Sequence, residues 1–329
     1  MGGGFAGVAT AWALARQGVA AVVLEREDAP GRFASGRSAG LGRQLAEDDA
    51  TTALTVRGAR WLRRELSAAW QPCGGILSFD DAAEADAYEA RAGRLGVTAE
   101  RWSREQVRAL WPGLAGLPIA AAIHVPSDGV IDVGALLREL ARGATVVCGA
   151  GVERVEPTAA GVQLTTARGR IAARLVVDAA GAWAGALTGD PPLATYKRHV
   201  HVLEAAAPQG APFVWHLGAD ELYVRHDADG LLVSPCDAAP VPIGDQQPDA
   251  DGDAMLRGRF ASTAWATTPI ARRWACQRAF TPSRRMRIER DPARPWLIWA
   301  AGLGGHGATA AAGVGEAAAE VCVAALAAP

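Results

Sequence analysis

Four glycine-rich or small-residue stretches carry the chemistry this sequence can be read for. The first is Gly2-Gly3-Gly4-Phe5-Ala6-Gly7, a G-x-G-x-x-G run. It leads into a helical stretch, Ala6 to Gln17, in which Phe5, Val8, Ala9 and Trp12 share a face, and Gly18 is the expected stop. The apolar run Val19 to Leu24 then ends in Glu25, eighteen positions beyond Gly7. This is the order of a βαβ unit that binds a dinucleotide. Glycines Gly2, Gly4 and Gly7 let the backbone approach a pyrophosphate, the helix N-terminus offers free N–H groups, and Glu25 accepts from ribose hydroxyls. At this point the cofactor is NAD or FAD.

The order also requires a buried strand running into the first glycine, and only Met1 precedes it. The expectation is therefore a start upstream of Met1, or a parallel sheet whose central strand is missing and whose neighbours carry unpaired backbone groups.

The second stretch, Ser35-Gly36-Arg37-Ser38, follows an Asp28-Ala29-Pro30-Gly31 turn and suits close approach of a ligand. The third is the small-residue turn Ala179-Ala180-Gly181-Ala182-Trp183, at the end of a strand-like run from Arg174. The fourth, Gly302-Leu303-Gly304-Gly305-His306-Gly307, opens a helix from Ala308, so a second helix N-terminus can face developing negative charge.

Composition bounds the rest. The 329 residues are 50% hydrophobic with a formal charge of −2, enough to bury a large core in one or two domains. Without a basic excess or a run of like charge, no nucleic-acid partner is expected, and a small molecule is. Five widely spaced cysteines suggest neither a disulfide framework nor a zinc site, so no metal and a cytoplasmic location are expected. The apolar run from Ala308 to Ala328 is interrupted by Glu316 and Glu320 and reads as a packing helix rather than an integral membrane segment. Pro240 to Asp253 lacks periodicity and reads as an exposed loop.

These stretches, in this order, resemble the D-amino-acid oxidase superfamily of flavoproteins. The resemblance runs over nearly the whole chain and continues in Ser234-Pro235-Cys236-Asp237 and in Trp274 to Pro282. It implies FAD rather than NAD. It implies an α/β fold in which a Rossmann-like FAD-binding domain (1–74, 131–189 and 273–329), its first strand missing, is interleaved with an α+β substrate domain (75–130 and 190–272). A mainly antiparallel sheet in the second domain would roof the flavin. The cofactor contacts it implies are Gly2, Gly4, Gly7, Glu25, Arg26, Ser35, Gly36, Arg37, Ser38, Val152 beside the adenine, Ala180, Gly181, Trp183, Gly302, Gly304, Gly305, His306, Gly307, Ala308 and Thr309.

The same resemblance gives the reacting end. Arg278 matches the family's substrate arginine and would hold a carboxylate through two parallel hydrogen bonds. Tyr223 lies on a strand-like run, Glu221 to Arg225, where alternation puts it on the face of Arg225 and opposite Val224. Arg198 looks like a further pocket position. His306 is read as a direct participant or as loop and flavin support. Cys276 falls near the cysteine that carries the flavin covalently in the sarcosine oxidase branch, with a buried structural thiol as the alternative. Lys197, the single lysine, is read as a cation near the flavin or as chance placement.

Three positions depart from the family: Ser283, Glu289, and a Leu41–Ala46 segment without an aromatic residue or histidine. The implied activity is hydride transfer from the α-carbon of a small amine or amino acid (D-amino acid, glycine or sarcosine class) to flavin N5, giving an imine that hydrolyses. Oxygen or an electron carrier would take the electrons. The alternatives are a dehydrogenase passing electrons to a quinone or carrier, and a truncated, inactive flavin-binding relative.

Overall fold

The computed structural model describes residues 1–327, so Ala328 of the expected helical run and the last two residues of the 273–329 segment lie outside it. The first helix is Phe5–Arg16, buried throughout from Phe5 to Leu14, and it stops where Gly18 takes φ +71°. It is buried on all sides because the C-terminal helix, Gly307–Ala327, lies along it. The backbones approach so closely that a methyl group on Gly315 would overlap the backbone of Ala9. Small residues in the Gly307–Ala327 helix thus serve helix packing: by length and composition it could cross a membrane, yet it packs against Phe5–Arg16 and Asp49–Glu65 in the core.

The parallel sheet beneath these helices stands in two halves. Val22–Leu24 pairs in parallel with Thr145–Val147. Separately, Val176–Asp178 pairs in parallel with Leu297–Ala301, which pairs antiparallel with Arg287–Arg290. Between the halves, among the described residues, Met1 and Gly2 alone bridge the open edges. Met1 N donates to Val177 O (2.7 Å), Ala179 N to Met1 O (3.0 Å) and Gly2 N to Leu24 O (2.9 Å). The unpaired neighbours expected from the sequence are therefore present. A three-stranded antiparallel ribbon, Val152–Thr158, Gly161–Thr166 and Gly169–Ala173, packs nearby on Leu24 and Val176.

An eight-stranded sheet forms the other half of the molecule. Its spatial order is Ile270–Phe280, Ala194–Leu203, Gly230–Ser234, Leu222–Asp227, Phe213–Leu217, Gly75–Phe79, Ala121–Val125, Glu100–Trp102. All neighbours run antiparallel except Phe213–Leu217 beside Gly75–Phe79, the parallel pair that joins the two chain segments into one sheet.

The Pro240–Asp253 stretch differs from its expected reading. Its end is the first turn of a helix, Ala250–Arg259, started by Asp249, whose side chain accepts from Gly252 N–H. Its middle is tied down, since Asp245 pairs with Arg37 (2.6 Å) and Gln246 O accepts from Arg37. The capping aspartate was the signal; without an amphipathic pattern after it, periodicity could not find the helix.

Candidate functional site

A cavity of about 650 Å³ runs from the start of the first helix to the eight-stranded sheet. Its cofactor end is lined by Gly4, Ser35, Arg37, Ser38, Gly181 and the Gly302 to Thr309 loop and helix start. Two helix N-termini converge on it. Gly4 has no side-chain cap, and Phe5 N–H reaches Ser35 Oγ (3.0 Å). The N–H groups of Ala6, Gly7, Ala308 and Thr309 have no acceptor among the described residues. Such free donors at a positive dipole end fit the pyrophosphate and the electron-rich edge of FAD. The cradle is also shaped by backbone contact, because a methyl group on Gly7 would overlap the carbonyl oxygen of Gly2.

The remaining cofactor residues expected from the sequence stand outside this cavity's lining. Gly2 and Gly7 form the turn below it. Glu25 accepts from Gly3 N–H (2.5 Å) and Glu27 N–H (2.8 Å), so its carboxylate anchors the glycine loop while keeping lone pairs for a ribose hydroxyl. Arg26 lies over Trp183 (4.7 Å) and Phe33 (5.4 Å). Val152 is partly buried beside Leu24 and Ala150, Ala180 N–H donates to Asp178, and Gly36 closes a turn on Gly31 O.

At the roof, sheet register decides which side chains meet. Arg198 is the cross-strand partner of Cys276, and alternation puts Arg278 on the same face as Cys276. Both guanidinium groups turn inward: Arg198 Nε donates to Asp237 O (3.0 Å), and Arg278 Nη2 donates to the same oxygen (3.2 Å). Burial and the neighbouring Arg198 cation bring Arg278 down to about 10, still cationic at neutral pH. Tyr223 is the cross-strand partner of Trp215 and packs with Val200 and Leu232, while Val224 turns to the opposite core, as alternation required. Burial pushes the Tyr223 phenol well up, so it stays protonated and can donate.

His306 lies at the cavity, yet Arg43 Nη2 stands 2.7 Å from its Nε2. An arginine can only donate, so that nitrogen is already an occupied acceptor. Burial lowers His306 to about 4, leaving a neutral ring that braces the loop. Cys276 lines the cavity, and burial raises its thiol, which disfavours the thiolate. Lys197 alternates away from Arg198 and pairs with Asp249.

Four residues that the sequence did not single out also line the reacting end: Arg43, Glu47, Trp215 and Glu221. Arg43 lies in the segment remarkable in sequence only for lacking aromatic residues. Its side chain is almost fully buried, stacked 4.2 Å over Trp215 and paired with Glu47 (2.5 Å), which this cation holds far below the usual carboxylate range. Glu221 accepts from Trp215 Nε1 (2.9 Å).

The FAD dependent oxidoreductase family model, DAO, matches residues 1–321. The chain is 28% identical over 272 residues to human mitochondrial sarcosine dehydrogenase, which covers 73% of this chain and 29% of that protein. It is 25% identical over 351 residues to 4-methylaminobutanoate oxidase (formaldehyde-forming) of Paenarthrobacter nicotinovorans, covering 97% and 43%. The chain thus spans less than half the length of either relative. Among solved structures, its fold matches L-proline dehydrogenase from P. horikoshii (TM-score 0.88, 23% identity, 98% of this chain and 92% of that one). It also matches glycine oxidase from Geobacillus kaustophilus (TM-score 0.82, 22% identity, 98% and 93%). With the family match covering nearly the whole chain and the cavity suited to the flavin, this protein belongs to the DAO family of FAD-dependent oxidoreductases.

Proposed function

We propose that this protein oxidises a small amine or amino acid bearing a carboxylate, in the D-amino acid, glycine or sarcosine class, at the carbon next to nitrogen. One observation carries the reading: Arg278 and Arg198, from adjacent strands, turn into one cavity with Tyr223, and Arg278 lies beside the Gly305 loop that opens the C-terminal helix. FAD, when bound, supplies a two-electron acceptor. The protein's task is orientation. Arg278 receives the substrate carboxylate in a bidentate pair, Tyr223 O–H donates to it, and the buried roof excludes water. A neutral amine needs no strong base at the carbon, which agrees with His306 being held neutral and engaged by Arg43. The names of the two relatives point to N-methylated amino acids within this class. All five cysteines are free, in keeping with a reducing, cytoplasmic setting.

The test is anaerobic mixing of the FAD-loaded protein with sarcosine, 4-methylaminobutanoate, glycine, proline and D-amino acids while flavin absorbance is followed. Bleaching by one of them is expected, and re-oxidation by oxygen or by a dye then identifies the acceptor class. The split parallel sheet favours a second reading, a flavin-binding relative without turnover. A yellow protein bleached by dithionite but by none of the amines would establish that one instead.

A further inference from the structure

Behind the roof, the strand Ala194–Leu203 pairs with Gly230–Ser234 only from His201 to Leu203. Its earlier half pairs instead with the chain that follows Asp237: Lys197 N–H donates to Ala239 O (2.9 Å) and Val241 N–H to Thr195 O (3.1 Å). Between these two paired parts the chain bulges at Ser234 to Asp237. Within the bulge Cys236 takes φ +49°, a left-handed conformation that residues other than glycine rarely adopt.

Inside the bulge, side chains stand where ladder groups would. His199 N–H donates to Asp237 Oδ1 (2.7 Å), and His199 O accepts from Ser234 Oγ (2.6 Å). Because the carboxylate takes this rung, the Asp237 carbonyl is released from the ladder. It is this oxygen that accepts from both Arg198 Nε (3.0 Å) and Arg278 Nη2 (3.2 Å), and neither guanidinium makes another hydrogen bond within the described residues. The His199 ring fastens the second carboxylate oxygen, its Nδ1 standing 2.7 Å from Asp237 Oδ2. Against burial, the hydrogen bonds from His199 hold Asp237 below the usual carboxylate range; ionised, it can only accept, so Nδ1 carries the proton. The ring itself is clamped. Asp249 brings its N–H (3.3 Å) and Oδ1 (3.2 Å) to Nε2, and a methyl group on Gly252, in the first turn of Ala250–Arg259, would overlap the ring.

We propose that His199 is a positioning residue for substrate binding: through the Asp237 carboxylate it holds the bulge so that one carbonyl oxygen gathers Arg198 and Arg278 and sets their spacing for a substrate carboxylate. The inference rests on the reading of this cavity as the site of amine oxidation. The two cations repel, and the shared acceptor opposes their separation. His199 lies on the strand face opposite Arg198, so it acts on the arginines through Asp237.

The test uses three variants of the FAD-loaded protein. His199→Asn keeps an N–H donor near the place of Nδ1, and His199→Gln moves it toward the place of Nε2. Asp237→Ala removes both side-chain bonds while leaving no buried carboxylate unpaired, which covers the case that His199→Gln folds poorly. In His199→Gln and Asp237→Ala, KM for the carboxylate substrate is expected to rise about tenfold with kcat and flavin content at wild-type values. Proton exchange at Arg198 Nε, followed by NMR with labelled arginine, should speed up about tenfold in the same two variants. His199→Asn should restore both properties. Unchanged exchange and KM in both disrupting variants overturn the proposal. So does a parallel fall of kcat and flavin content, which marks general loosening, or a loss in His199→Asn equal to that in His199→Gln. If no carboxylate-bearing amine bleaches the wild-type flavin, the substrate reading fails by itself, and exchange at Arg198 decides whether His199 holds the arginines.

Discussion

The roof and the floor of the cavity are built on opposite terms. In the roof, strands of up to eleven residues are paired across an eight-stranded sheet, and Arg278, Arg198, Tyr223 and Trp215 are aligned by register. In the floor, strands of three to five residues form two separate half-sheets, and the glycine turn between them is held by a few backbone hydrogen bonds and the Glu25 carboxylate. The roof presents side-chain donors to the cavity, and the floor presents backbone N–H groups. Side-chain recognition fails one residue at a time. Backbone recognition fails as a unit, when the turn moves.

The largest effect is expected from Arg278→Ala. Losing a charge-assisted bidentate pair should raise KM for carboxylate substrates by about a hundredfold, with FAD binding unchanged. Steady-state kinetics alongside the ratio of flavin to protein absorbance checks both. An unchanged KM would remove Arg278 from the substrate.

On the floor, Gly7→Ala places a methyl group against the Gly2 carbonyl oxygen, and overpacking of this kind costs roughly 1–3 kcal/mol. The expected result inverts the first, with FAD affinity falling by about tenfold or more and KM at saturating FAD unaltered, read by flavin titration. Equal affinity would show that the floor tolerates movement of the turn.

Tyr223→Phe removes one donor and should lower kcat/KM by about tenfold without affecting the flavin content. A wild-type value would make Tyr223 a packing residue beside Trp215.

The smallest effect concerns the joint between the regions. Asp128 accepts from the backbone and side-chain amides of Gln44, next to Arg43, and burial pushes its carboxyl up to about 7. The folded chain keeps a proton there that the unfolded chain has lost, so this group's contribution to stability declines as pH rises from about 4 through 7. Asp128→Asn should flatten melting temperature against pH over that window. His306, lowered to about 4, acts in the opposite sense: its contribution is lost as pH falls below about 6.5 toward 4. A slope unchanged in Asp128→Asn would mean the carboxyl is ionised in the fold.

Much of this was legible in the residues. The glycine runs marked both helix starts, and Phe5–Arg16 and Gly307–Ala327 begin within a residue of expectation. Alternation alone placed Tyr223 against Val224. Arg43, Trp215 and Glu221 were not legible, because nothing local distinguishes an arginine that stacks on a tryptophan 172 positions away from one on the surface. Lys197 shows the converse, a conspicuous residue whose strand position turns it outward onto Asp249.

What the sequence by itself determined are the features that depend on neighbours along the chain: where backbone can approach a phosphate, where helices start and stop, and which residues of a strand share a face. Only the tertiary structure decided which face looks into the cavity and which strand stands beside which. Register between strands such as Ala194–Leu203 and Ile270–Phe280 joins residues some eighty positions apart. That choice is made by burial of whole sheet faces, and a one-residue slip would turn Arg278 out of the site.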